Sequence, residues 1–263
     1  MRFGLVISVG AVLAQPVLAA SPLALLPGIF TNEEDVYFTR LAGKTPPPAT
    51  AMQVLLEGKS LRLRTIDAYG KPLEDGHLMT VSGTNVTAGP CGMPFRSKGE
   101  LLIAGPRTGK CHNEAVMQQI GPEGITLAFP DGSTSLLRRS RPVICWVSVL
   151  KPQPKPDGSE DWYFQRGVTL HDQGGRALVG GGDTGAQPTI IRVRNVTWES
   201  GSTNKPALTL YVHKPERPDH AESYSWAAPD SSRIGINLRW MQAGCAVGNQ
   251  PATASVNSAK TKG

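Results

Sequence analysis

A chain of 263 residues with 40% apolar and 18% charged side chains can bury a proper core, and that balance excludes general disorder. Its 29 glycines and 22 prolines favour many turns and few long helices. A formal charge of +6 and a pI near 9.3 favour acidic neighbours such as envelope polymers or anionic ligands, whereas 6% aromatics and scattered arginines lack the stacking pattern of a nucleic-acid binder.

Met1-Arg2 opens the chain with a positive charge, residues 5–13 are apolar and uncharged, and Ala19 and Ala20 offer small-residue cleavage sites. This pattern reads as a secretory signal peptide over 1–20. The run is shorter than the roughly 20 apolar residues a membrane span needs. No later stretch could cross a bilayer, so the mature chain is expected to be periplasmic or secreted and not membrane-spanning. Thr31 and Glu34 have the spacing of a capping box, with Glu33, Glu34 and Asp35 where a helix dipole favours acids. Val36, Tyr37 and Leu41 give this short helix an apolar face, Gly43 can stop it and Pro46-Pro47-Pro48 forbids continuation.

From Met52 the period changes to two. Val54, Leu55 and Leu56 lead to a turn at Glu57-Gly58-Lys59, and Leu61, Leu63 and Thr65 then alternate with Arg62, Arg64 and Ile66. Short strands follow at 77–82 and around 101–104, and residues 125–137 read as a hairpin about Pro130-Asp131-Gly132. Residues 143–150 are the most β-prone stretch, and the loop 151–158 separates them from strands at 162–164 and 168–170. A glycine-rich loop is expected over 174–185, then strands at 190–198, 207–213 and 233–241, and past Gly248 a frayed tail over 249–263.

Four cysteines allow three pairings. Cys91 and Cys111 bracket a short apolar run and suit a local bridge, while Cys145 and Cys245 would tie a middle strand to the last one. No two lie at the tight spacing of a zinc finger, so oxidised cross-links are expected and no metal site or cofactor. The run Gly105 to Lys110 resembles a phosphate loop only superficially, since Ala104 and Cys111 stand where glycine and a hydroxyl residue are required. His213, Asp219 and His220 are interrupted by Pro215 and Pro218 and read as a loop. His171-Asp172 is a candidate general base with its acid, but neighbours on a strand face opposite ways. No catalytic residue is assigned.

Arg62, Arg64, Arg192, Arg194 and Arg239 occupy alternate strand positions. Facing outward they are solvated charge. Facing inward, with Trp162 and Trp240 (and Trp198) as apolar wall, they form a cup for a carboxylate or phosphate. Asn85-Val86-Thr87 and Asn195-Val196-Thr197 match the glycosylation pattern, which matters only in a cell that glycosylates.

Two segments resemble the CpeT/CpcT-type chromophore lyases: Leu26-Pro27-Gly28-Ile29-Phe30-Thr31-Asn32-Glu33-Glu34, and Cys91-Gly92-Met93-Pro94-Phe95-Arg96 through Gly109-Lys110-Cys111. They cover a small part of the chain. The resemblance implies a lipocalin-like antiparallel barrel with an open mouth, and attachment or carriage of linear tetrapyrroles. It places Arg62 and Arg64 roughly where the family's pocket segment lies.

The expectation is therefore an all-β protein, an antiparallel lipocalin-like barrel with one short N-terminal helix. Residues 21–248 form one β-rich domain, or a barrel to about 142 followed by a second β lobe. Its first expected role is non-catalytic binding of a small, partly apolar, anionic ligand. The alternatives are an envelope interaction protein with basic faces, a CpeT-like lyase, and an enzyme using His171 and Asp172.

Overall fold

The computed structural model describes residues 21–111, 115–198 and 202–248. The expected signal peptide and the expected tail fall outside the described residues.

In the first half, short runs with apolar residues at alternate positions are punctuated by glycines that reverse the chain, and they fold as a meander. Its strands are β1 (Gly28–Thr31), β2 (Ala51–Glu57), β3 (Ser60–Thr65), β4 (His77–Ser82), β5 (Asn85–Ala88) and β6 (Cys91–Lys98). They continue as β7 (Leu101–Ala104), the two-residue β8 (Thr108–Gly109), β9 (Val116–Gly121), β10 (Gly124–Ala128) and β11 (Thr134–Arg139). All are joined in one eleven-stranded antiparallel sheet in which β8 only flanks β6. The other ten close on themselves, because β1 pairs with both β2 and β11 and β5 pairs with both β4 and β6. Closure removes the edges that an open sheet would present. The inward side chains, including Phe30, Leu61, Leu102, Ile120, Ile125 and Leu137 at 0% exposure, pack into one cluster.

The second half contains two four-stranded sheets. One has the order β13 (Trp162–His171), β12 (Pro142–Leu150), β19 (Met241–Val247), β18 (Arg233–Asn237). The other has the order β14 (Gln173–Val179), β15 (Thr189–Val196), β16 (Ala207–His213), β17 (Ala221–Ala227). Their facing sides share a core of small β-branched and aliphatic residues, with Val143, Val147 and Val149 set against Val193, Leu208 and Leu210. This is a sandwich.

Among the described residues there are two short α-helices, α1 (Pro22–Leu25) and α2 (Glu33–Leu41), where one was expected. The capping box does not form. Asn32 occupies the cap of α2 without a side-chain cap bond, and its amide is held by Pro48, Thr50 and Ser135. The Glu34 carboxylate, which a capping box would turn back onto the chain, reaches out to the second lobe. Gly43, with φ +70, follows the last turn in the left-handed conformation its lack of a side chain allows.

Other expectations also change. Residues 173–179 are strand β14 and not part of a glycine loop, with a register shift between Gln173 and Arg176 that absorbs the two glycines. The single strand expected over 233–241 is a hairpin, because the chain reverses at Arg239-Trp240 and Leu238 bonds Met241 in both directions. Both proposed disulfides form, Cys91–Cys111 and Cys145–Cys245. The second does not carry the last strand back to the barrel. It joins directly opposed residues of β12 and β19 within the sandwich.

Candidate functional site

The outer face of the β14–β17 sheet is where the two lobes meet. Strand alternation sends Ile191 and Val193 of β15 into the sandwich core, so Arg192 and Arg194 must point the other way. They meet α2. Arg194 Nε donates to Glu34 Oε1 at 2.6 Å, Thr197 N–H donates to Glu34 Oε2 at 3.2 Å, and Arg192 pairs with Glu33. The Arg194 guanidinium also lies 4.4 Å from the centre of the Tyr37 ring, and Phe38 packs on Trp198 at 5.5 Å. Gly174, with φ +91, makes the approach possible, since a Cβ there would collide with the Glu33 carboxylate. Arg194 and Glu34 are each 4% exposed. Burial, reinforced by Arg194, draws Arg192 down to about 10, which still leaves it charged at neutral pH.

α2 covers only the β14–β15 half of that face. On the β16–β17 half, Tyr211 stands opposite Tyr224 and Thr209 opposite Trp226. Tyr224 is 63% and Trp226 74% exposed. With Trp198 they wall a groove of 740 Å³, floored by Val196, Thr209 and Ala227 and edged by Asn204, Lys205, Pro206 and Pro229. The Tyr211 and Tyr224 rings lie 6.0 Å apart and tilted at 43°. Uncovered aromatic side chains beside a concavity of this size, with one lysine and a few polar groups on the rim, are the usual makings of a small-ligand site.

A second cavity of 680 Å³ lies at the lobe junction between β11, β12 and the end of β13. Its cations are mostly engaged. Arg141 donates through Nε to Asp172 Oδ2 at 2.7 Å, through its backbone N–H to Asp172 Oδ1 at 2.7 Å, and through Nη2 to Pro229 O at 2.6 Å. Arg139 donates to the carbonyls of Leu25, Pro27 and Pro122. Asp172 is held above its usual range by burial, which outweighs Arg141. His171 is 5% exposed, its Nδ1 has no partner and burial pulls it down to about 4. No hydrogen bond joins His171 to Asp172 among the described residues; the Asp172 carboxylate is engaged by Arg141 instead.

The residues read from the sequence as a cup are not brought together as one, and Arg239 falls in the β18–β19 turn and not on a strand. Arg62 holds Glu57 across the β2–β3 hairpin with two bonds of 2.6 and 3.0 Å. Arg64, two residues on, packs its stem beside Gly76. Trp162 donates to Glu160 at the start of β13, and Trp240 sits in the β18–β19 turn and packs against the sandwich core. Arg192 and Arg194 face a helix and not the barrel interior. His213 is buried on β16, while Asp219 and His220 lie in the loop beyond it, and no metal-holding cluster occurs among the described residues.

Sequence reading missed Tyr211, Tyr224 and Trp226. The signal was there in Glu222-Ser223-Tyr224-Ser225-Trp226, a strict alternation. It was hidden because the inward positions of β17 are alanine and serine, not the aliphatic residues that mark a half-buried strand. No family model matches the chain, and no curated protein or solved structure matches it.

Proposed function

We propose that this protein is an exported, non-catalytic binding protein that takes a small, partly apolar, anionic ligand into the Tyr211–Trp226 groove. One observation carries the reading: Trp226 and Tyr224 stand largely exposed on β17, beside a 740 Å³ groove and next to a face that is otherwise covered. Uncovered rings of this size lose the roughly 1.5–3 kcal/mol that burial of a large side chain returns, so a face that keeps them open gains from an occupant. Export to the periplasm or beyond is supported by the two disulfides, which belong to oxidising compartments. No helix among the described residues is long and apolar enough to cross a membrane.

The lipocalin-like part of the reading is retained in altered form. Lipocalin barrels have eight strands and hold the ligand inside. Here the barrel closes with ten, its inward side chains form one packed cluster, and the groove belongs to the second lobe. Carriage of a tetrapyrrole in the manner of the CpeT-type proteins stays a narrower version of the same proposal, and acidic envelope polymers stay a rival partner for the basic surface.

The test is to purify the full-length protein from its own cell and weigh it intact under native conditions. A bound small molecule is expected in the wild type and absent from Trp226→Ala, whose exposed position leaves the fold untouched. Wild-type protein that carries nothing, yet is retained on anionic polymer in a salt-sensitive way, overturns the proposal in favour of the rival.

A further inference from the structure

Beyond Tyr211 the outer face of the β14–β17 sheet continues into a patch of buried, poorly satisfied side-chain nitrogens. His213, 2% exposed, makes no well-formed hydrogen bond through either ring nitrogen, although the backbone of His220 lies close by. Arg192, 8% exposed, has an unpaired Nε, and so does Arg176. Strand pairing collects them: Arg176 lies opposite Arg192, Arg192 lies opposite Tyr211, and His213 follows Tyr211 two residues along the same face. The Tyr211 ring centre is 6.0 Å from that of His213 and 5.9 Å from the Arg192 guanidinium carbon. Tyr211 is thus the wall shared by the groove and the donor patch.

Buried polar atoms nearly always have partners, and each exception needs a reason. Of the seven such side-chain nitrogens among the described residues, four gather on three neighbouring side chains beside the groove. The acids already present leave them unsatisfied. Glu33 contacts Nη2 of Arg192, and Asp219, whose side chain is 89% exposed, reaches Nη2 of Arg176 at 3.3 Å. Pro218 O also accepts from Nη1 of Arg176 at 3.4 Å, so what each arginine keeps unpaired is its Nε. None of the three side chains lines the groove itself, and their unpaired nitrogens lie too deep for a polyanion; only a small terminal group that enters past Tyr211 can reach them.

We infer, resting on the groove reading above, that the ligand is a flat, ring-bearing molecule with one terminal carboxylate, sulfonate or phosphate. The rings lie against Tyr211, Tyr224 and Trp226, and the anionic group is received by Arg176, Arg192 and His213. The aromatic walls supply affinity without selecting charge, and the donor patch supplies the selection.

Two dyes of similar size separate these roles. The full-length, disulfide-intact protein is titrated with anionic 8-anilino-1-naphthalenesulfonate and with neutral N-phenyl-1-naphthylamine. The anionic dye is expected to bind at least about tenfold more tightly, the scale of one charge-assisted contact. His213→Phe and Arg176→Met are each expected to lower that preference about fivefold or more, and Trp226→Ala to weaken both dyes together. His213→Phe keeps an aromatic ring while deleting both orphaned nitrogens, so its melting temperature is expected to equal or exceed the wild type's. A preference near one, or one unmoved by either variant, overturns the inference and leaves the groove reading standing. Binding of neither dye, or binding indifferent to Trp226→Ala, overturns the groove reading itself. Should His213→Phe not fold, Arg176→Met decides, together with free sulfate, which must displace the anionic dye alone.

Discussion

His171 closes β13 with its imidazole enclosed and one ring nitrogen without a partner. Burial resists its protonation, bringing its pKa from about 6.5 in the unfolded chain to about 4 in the folded one. Between those values the unfolded state binds more protons than the folded state, so stability rises with pH there and is lost on acidification. The loss reaches about 3 kcal/mol once pH falls below the folded value. Asp172 acts with the opposite sign, since its folded pKa is raised and it favours the folded state as pH falls through its own window. Denaturant titrations of wild type and His171→Phe at pH 7 and pH 4.5 isolate the histidine. The wild type is expected to lose markedly more stability between the two pH values than the variant. An equal loss would mean that His171 is solvated or partnered. The same residue shows a limit of sequence reading: His171-Asp172 looked like a possible base and acid, but chain neighbours do not reveal which distant arginine engages the acid.

At the scale of elements, the decisive contact is α2 on the outer face of the β14–β17 sheet. Glu34–Arg194 is a buried pair, and removing one partner leaves the other charged with nothing to offset its desolvation. Glu34→Ala is expected to cost about 3–5 kcal/mol by chemical denaturation. Arg62→Ala, which breaks the exposed Arg62–Glu57 pair, is expected to change stability immeasurably. Comparable costs in the two variants would refute the assignment of α2 as the clasp between the lobes. The helix itself was legible, from its acidic first turn, its apolar positions and Gly43. The destination of its glutamates was not, because a capping box is a rule about local spacing, and a buried arginine more than 150 residues later outcompetes it.

Across the whole molecule, two disulfides constrain unlike loops. Cys91–Cys111 spans 20 residues and Cys145–Cys245 spans 100. If loop entropy dominates, removing the first costs about 3 kcal/mol and the second nearer 5. Paired Cys→Ala variants, compared by thermal melting, are expected to rank in that order. The reverse order would place the stabilisation in the native strands and not in the unfolded chain. The all-β class, the preferred cysteine pairing and the hairpin over 125–137 about Pro130-Asp131-Gly132 were determined by the sequence alone, since each rests on alternation, glycine or proline punctuation, or spacing within a few neighbours. Only the tertiary structure decided that ten strands close into a barrel while eight more stack as a sandwich. It also decided that Arg192 and Arg194 turn toward α2, and that Tyr211, Tyr224 and Trp226 stay uncovered beside buried, unpartnered donors. The reason is physical: alternation says that a side chain faces one side of its strand, but what lies on that side is contributed by residues far away along the chain.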